Sequence, residues 1–131
     1  MPIHVSWDDD ARTIIRMDVT PYTWDEFHSA FEAAFMLAAS VPGQVDFIAV
    51  TSPDIRTPDP NFLPQLQKVV AAMPPNVGMI VLAGGSEFGR TMISIVARVT
   101  GWAKRFAIVD TLDEARALIA ERRSATEPHR M

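Results

Sequence analysis

Two short stretches hold the residues whose types and spacing could do chemistry. In LAGGSEFGRTMISI, residues 82–95, an apolar strand runs through Gly84-Gly85-Ser86 into a helix. Backbone N–H groups at such a joint, with the helix N-terminus behind them, can receive an anion. The spacing is neither G-x-G-x-x-G nor a phosphate loop, and no Lys follows. Ser86 is placed to cap the helix. Glu87 puts a carboxylate where the helix dipole would otherwise favour a bound anion. Gly89, inside the first turn, costs up to about 1 kcal/mol relative to Ala and points to close packing or to a group approaching the backbone. The second stretch, Thr51–Pro60, is the longest loop of the chain and carries Pro53, Pro58 and Pro60. It leaves the carboxyl end of one strand as Gly84-Gly85 leaves another, and ligands of open α/β sheets gather at such ends. Thr51, Ser52, Asp54, Arg56, Ser86 and Arg90 are therefore the candidate ligand-binding residues. The alternative reading of the loop is a proline-stiffened connector.

Other chemistries are poorly served. His4, His28 and His129 fall on a strand, a helix and the C-terminal segment, and no pair has metal-ligand spacing. Asp8-Asp9-Asp10 lacks the glycine and distal glutamate of a calcium loop and reads as a solvated turn. There is no cysteine, which removes thiol catalysis, a thiolate zinc site and a disulfide frame and fits a reducing compartment. Ser52 and Ser86 lack a G-x-S-x-G context and a partner His. No catalytic residue, metal or cofactor is assigned, and an enzyme is not expected.

The elements that must position these residues follow from patterning. The 131 residues are 48% hydrophobic and 21% charged, as in one globular domain. Ile3, Val5 and Trp7 alternate with polar neighbours, and Ile15, Met17 and Val19 share a face, so the two runs predict a hairpin. Thr23-Trp24-Asp25-Glu26 is a capping box, with Tyr22 and Phe27 as its hydrophobic staple. Phe27, Ala30, Phe31, Ala34 and Ala38 form the stripe of the helix that follows. Val45–Val50 and Val77–Ala83 read as strands covered on both faces. Between them, Asn61 is placed to cap a helix with Pro64 in its first turn. Its stripe is Phe62, Leu66, Val69, Val70 and Met73. The third helix runs from Ser86 to about Thr100, with Gly101 closing it. Phe106–Val109 is a last short strand, and Thr111-Leu112-Asp113-Glu114 opens the fourth helix with a second capping box. The expected order is β-β-α-β-α-β-α-β-α. Right-handed crossovers make the last three strands parallel in a mixed α/β sheet of about five strands with four helices. The domain is expected over residues 1–123 and a loose tail over 124–131.

Two helices are more apolar than a surface helix needs. The third leaves only Arg90, Ser94 and Arg98 as a polar stripe, and the first carries Trp24, Phe31, Phe35 and Met36 beyond its main stripe. Phe35, Met36, Met92, Ile93, Ile95 and Trp102 are the candidate interface residues, with a homodimer, an apolar ligand pocket or plain burial as the readings.

Net charge is −4, which does not suit nucleic-acid binding. The charge is polarised: residues 1–64 carry 3 basic against 10 acidic side chains, residues 65–131 carry 9 against 6. No apolar run reaches the length of a membrane span, and the N-terminal residues lack the pattern of a signal peptide. A cytoplasmic protein is the expectation.

Residues 79–119, MIVLAGGSEFGRTMISIVARVTGWAKRFAIVDTLDEARALI, resemble the STAS domain found in bacterial anti-sigma-factor antagonists and in the tails of sulfate transporters. The likeness lies in a strand, a small-residue turn and an Arg-bearing helix ended by glycine. A short strand and an Asp-Thr-Leu-Asp-Glu-Ala helix start follow, and Val109–Ala115 carry that last piece. Regulatory members look like strand–Asp-Ser-Ser-Gly–helix at the second helix, with a phosphorylated Ser. Here that place reads TSPDIRTPDPNFLPQL, so the resemblance is to the SpoIIAA-like proteins without the phosphorylation switch. It implies a non-catalytic interaction or regulatory module that pairs with itself or another protein. The alternative is a binder of a small apolar or lipid-like molecule between helices and sheet.

Overall fold

The computed structural model describes residues 3–55 and 62–126. Its strands are β1 (Ile3–Trp7), β2 (Ile14–Val19), β3 (Val45–Val50), β4 (Val77–Ala83) and β5 (Phe106–Val109). The helices are α1 (Trp24–Ala39), α2 (Phe62–Ala71), α3 (Glu87–Val99) and α4 (Leu112–Thr126). This is the expected order and count. The strands lie side by side in sequence order. β1 pairs antiparallel with β2, Ile3 opposite Val19, and every later pairing is parallel. The sheet is therefore mixed, and β2 joins the parallel set as well.

Local chemistry fixes the helix ends. Thr23 and Glu26 form the capping box in full, and the Tyr22 and Phe27 rings stack at 5.8 Å as its staple. Ser86 accepts from the Gly89 N–H at 3.1 Å. Gly101, at φ +78°, closes α3 from the left-handed region. At α4 the box is altered: Thr111 accepts from the Glu114 N–H, but its hydroxyl, not its backbone N–H, donates to the Glu114 carboxylate. Asn61 and Arg56 lie outside the described residues. Residues 124–126, expected in a tail, continue α4; the remainder of that segment, 127–131, lies outside the described residues.

Two apolar layers sandwich the sheet. On one face Ile15, Met17, Val45 and Phe47 pack under α1 and α2, and α3 lies beside α2. On the other, Ile14, Ile48, Met79 and Val81 pack under Ala115 and Ile119 of α4. Phe35, expected at an interface, is buried instead, its ring 5.8 Å from that of Phe47. Helix α1 covers the sheet more broadly than its five-residue stripe implied.

The β3–β4 ladder contains a slip. Val45 faces Val77 but Phe47 faces Ile80, so β4 carries one extra residue at Gly78-Met79. Asp46 fills the break: its Oδ1 accepts from the Met79 N–H at 2.7 Å. A Cβ at Gly78 would meet the side chains of Gln44 and Asp46. The Asp8-Asp9-Asp10 turn is more structured than a solvated one. Asp8 takes Arg116 of α4 at 2.7 Å, and Asp9 accepts from the N–H groups of Thr13 and Ile14 and from the Thr13 hydroxyl. Burial works against the ionised Asp9, but those three donors and the nearby Arg123 charge outweigh it and hold its carboxyl below the ordinary range.

Candidate functional site

The carboxyl halves of the strands approach a cavity of about 120 Å³ between the sheet and helices α1 to α3. Tyr22, Phe27 and Phe31 wall it on the α1 side, Phe62, Leu66 and Val70 on the α2 side, and Ile93 and Val96 on the α3 side. Its floor includes Ala49, Ile80 and Leu82. The space exists because small residues stand opposite large ones. Ala49 presents only a methyl from the sheet, and Gly85 and Gly89 present none where α3 begins. The Gly89 expectation, that something approaches the backbone there, falls on this wall.

The described part of the first loop, Thr51–Ile55, and the Gly84–Ser86 joint meet at the cavity. Thr51 donates its N–H to the Ala83 carbonyl at 3.0 Å, and Gly84 donates to Val109 at 2.9 Å, so the ends of β3, β4 and β5 are tied in a row. Gly84 holds φ +89°, and a side chain there would strike the Thr51 carbonyl. Thr51, Gly85 and Ser86 line the cavity together. Arg90 sits behind them. Its Nη2 donates to the Val109 carbonyl at 3.1 Å and to Asp110 at 2.9 Å, while its Nε is buried without a hydrogen-bond partner. Ser52 closes a turn by accepting from the Ile55 N–H, and Asp54 is exposed. Of the six candidates, Thr51 and Ser86 reach the cavity, Arg90 braces the loop behind it, and Ser52 and Asp54 stand apart.

The wall is almost wholly apolar. Burial pushes the Tyr22 phenol up to about 12. His28 and Gln65 are hydrogen-bonded across α1 and α2, which ties together the two helices flanking the cavity. An aromatic chain runs along this side: Trp24 lies edge-on to Phe62, 5.6 Å between centroids, and Phe62 edge-on to Phe88 at 5.8 Å. Phe88 is 53% exposed.

The interface candidates scatter. Met36 is exposed, Met92 and Ile95 are half-buried, and Ile93 lines the cavity. Trp102 packs on Phe106, with Arg105 stacked 4.8 Å over its ring. Among the described residues no cluster of His, Asp and Glu could hold a metal ion, and no helix is long and apolar enough to cross a membrane. The periodicity marks Phe27, Phe62 and Leu66 only as core, and Phe31 as part of the apolar excess of the first helix. It overlooked Asp46, whose signal was a lone charge in an otherwise apolar strand.

No protein-family model, curated protein or solved structure matches this chain.

Proposed function

We propose that the protein is a non-catalytic binding module for a small apolar ligand held between the sheet and α1 to α3. The cavity carries this reading. A cavity of roughly 150 Å³ with aliphatic and aromatic walls binds benzene-sized guests and stays dry when empty, and the one here, about 120 Å³, is somewhat smaller and almost as apolar. The hydroxyl-bearing Thr51, Ser86 and Tyr22 favour a guest with one hydrogen-bonding end. Ser86 spends its oxygen on the α3 cap, which supports binding over nucleophilic catalysis. A cytoplasmic location belongs to the same reading, supported by the lack of cysteine.

Titration of benzene and of phenol against methyl resonances tests it. Saturable shifts are expected at Ile80, Leu82 and Val96. They should vanish in Ala49→Leu, which fills the floor. Absence of any saturable shift for both probes, together with only the bare mass in native mass spectrometry of freshly purified protein, overturns the reading.

A second reading is an interaction or regulatory module, as the resemblance to SpoIIAA-like STAS domains implies. Met36, Phe88 and Val99, each more than half exposed, favour it. Light scattering of the wild type and of Val99→Asp distinguishes a pairing protein, whose mass should fall in the variant, from a monomer.

A further inference from the structure

The cavity between the sheet and α1 to α3 has a polar end. Three hydroxyl residues of its lining stand just beyond the carboxyl ends of neighbouring parallel strands: Tyr22 after β2, Thr51 after β3 and Ser86 after β4. Farther back along the strands the lining turns to Met17, Ile80 and Phe106. The space is therefore amphipathic along the strand direction.

The fold does not use these hydroxyls up. Among the described residues neither the Tyr22 nor the Thr51 hydroxyl has a hydrogen-bond partner, although both residues are half-buried. Ser86 Oγ accepts from the Gly89 N–H, but its own O–H meets no acceptor there. Tyr22 keeps its proton at neutral pH, so it and Thr51 can each donate and accept. Both are held in place. The Tyr22 ring is stacked on Phe27 and lies edge-on to Trp24, and Thr51 is tied to β4 through its N–H and the Ala83 carbonyl. No charged side chain stands among the described residues of the lining, so an ion brought there would shed its hydration without a countercharge.

Resting on the reading of this cavity as a binding site, we propose that its guest is an uncharged single-ring aromatic alcohol or phenol, selected by the Tyr22 and Thr51 hydroxyls. A guest hydroxyl can accept from one of the two and donate to the other, while its ring lies toward Met17, Ile80 and Phe106. A cavity of about 120 Å³ admits one ring, and the aromatic walls at Phe27, Phe31 and Phe62 suit edge-to-face contact with it. Tyr22 and Thr51 are then specificity-determining residues, and the apolar walls supply the affinity that any ring of this size shares.

The test titrates the wild type, Tyr22→Phe and Thr51→Val with benzene, phenol and benzoate at neutral pH, read from the methyl resonances of Ile80 and Val96. Each replacement keeps the shape of the side chain and removes its hydroxyl. Benzene should bind all three proteins alike. Phenol should bind each variant about fivefold more weakly than the wild type, the worth of one net hydrogen bond. Benzoate should bind the wild type about tenfold more weakly than phenol does, because its charge finds no partner. A loss of phenol affinity in one variant alone assigns the contact to that hydroxyl. Unchanged phenol affinity in both variants, or benzoate binding as tightly as phenol, overturns the proposal while benzene binding keeps the cavity reading standing. Failure of benzene and phenol alike overturns both.

Discussion

Arg123 of α4 closes on Asp46 of β3, with its Nη2 2.7 Å and its Nε 2.9 Å from Oδ2. The same guanidinium donates to the hydroxyl and the carbonyl of Thr13, so one side chain joins the hairpin turn, the central strand and the last helix. Asp46 is buried while Arg123 is half-buried, so removing Arg123 leaves a buried carboxylate without its countercharge. Arg123→Met should lower unfolding free energy by about 3 kcal/mol, and Asp46→Asn by less, because the amide oxygen can still accept from the Met79 N–H. Urea denaturation midpoints at constant slope check the order. A milder effect for Arg123→Met than for Asp46→Asn would contradict the account.

Gly78→Ala tests the slip in the ladder. The added methyl would press on Asp46 Oδ1, which the Met79 N–H holds in place, and on the Gln44 amide. Overpacking of this kind costs about 1–3 kcal/mol. The Gly78→Ala/Gln44→Ala double variant should recover part of it, since Gln44 can yield and Asp46 cannot. Thermal melts of the two variants show whether it does.

Tyr22 is the only tyrosine, so its ionisation can be followed by absorbance. In the folded protein it should titrate near 12, and in denaturant near 10. Because the folded state favours the neutral phenol, the contribution is fully present below pH of about 10 and is lost as pH rises from there through the folded value. A Tyr22→Phe variant should therefore lose less stability than the wild type over that alkaline window.

Asp9 acts at the opposite limit. Its folded carboxyl lies below the usual value, so its contribution is present above a pH of about 4 and fades as pH falls through the folded value. Asp9→Asn should flatten the acid limb of the stability curve, read from urea midpoints across acidic buffers, and leave the neutral region nearer to the wild type. An unaltered acid limb would show that the hairpin turn does not sense Asp9 ionisation.

Much of the fold was legible because its signals are local. The Thr23 box, the Ser86 cap, the Gly101 stop and the alternation in β1 and β2 each involve a few neighbouring residues, and their sum gave element order and sheet type. The site was less legible because it is a difference of volumes. Ala49, Gly85 and Gly89 lie far apart in sequence from Phe27 and Phe62, and nothing in periodicity says that their surfaces fail to meet. That Thr51 and Ser86 come together beside the cavity was legible because strand ends are predictable places. Phe35 was misplaced because a stripe drawn at helical spacing understates how wide a face the sheet covers. The Asp46–Arg123 pair spans 77 positions, and no local pattern announces a partner at that distance.

That separation also orders events in time. A ribosome adding about 5–20 residues per second delivers Arg123 on the order of 4–15 s after Asp46. During that interval β3 and β4 carry a carboxylate without its countercharge, and hydration of that group opposes closing the sheet over it. The centre of the sheet gains the countercharge of Asp46, and the apolar cover of Ala115 and Ile119, only from α4.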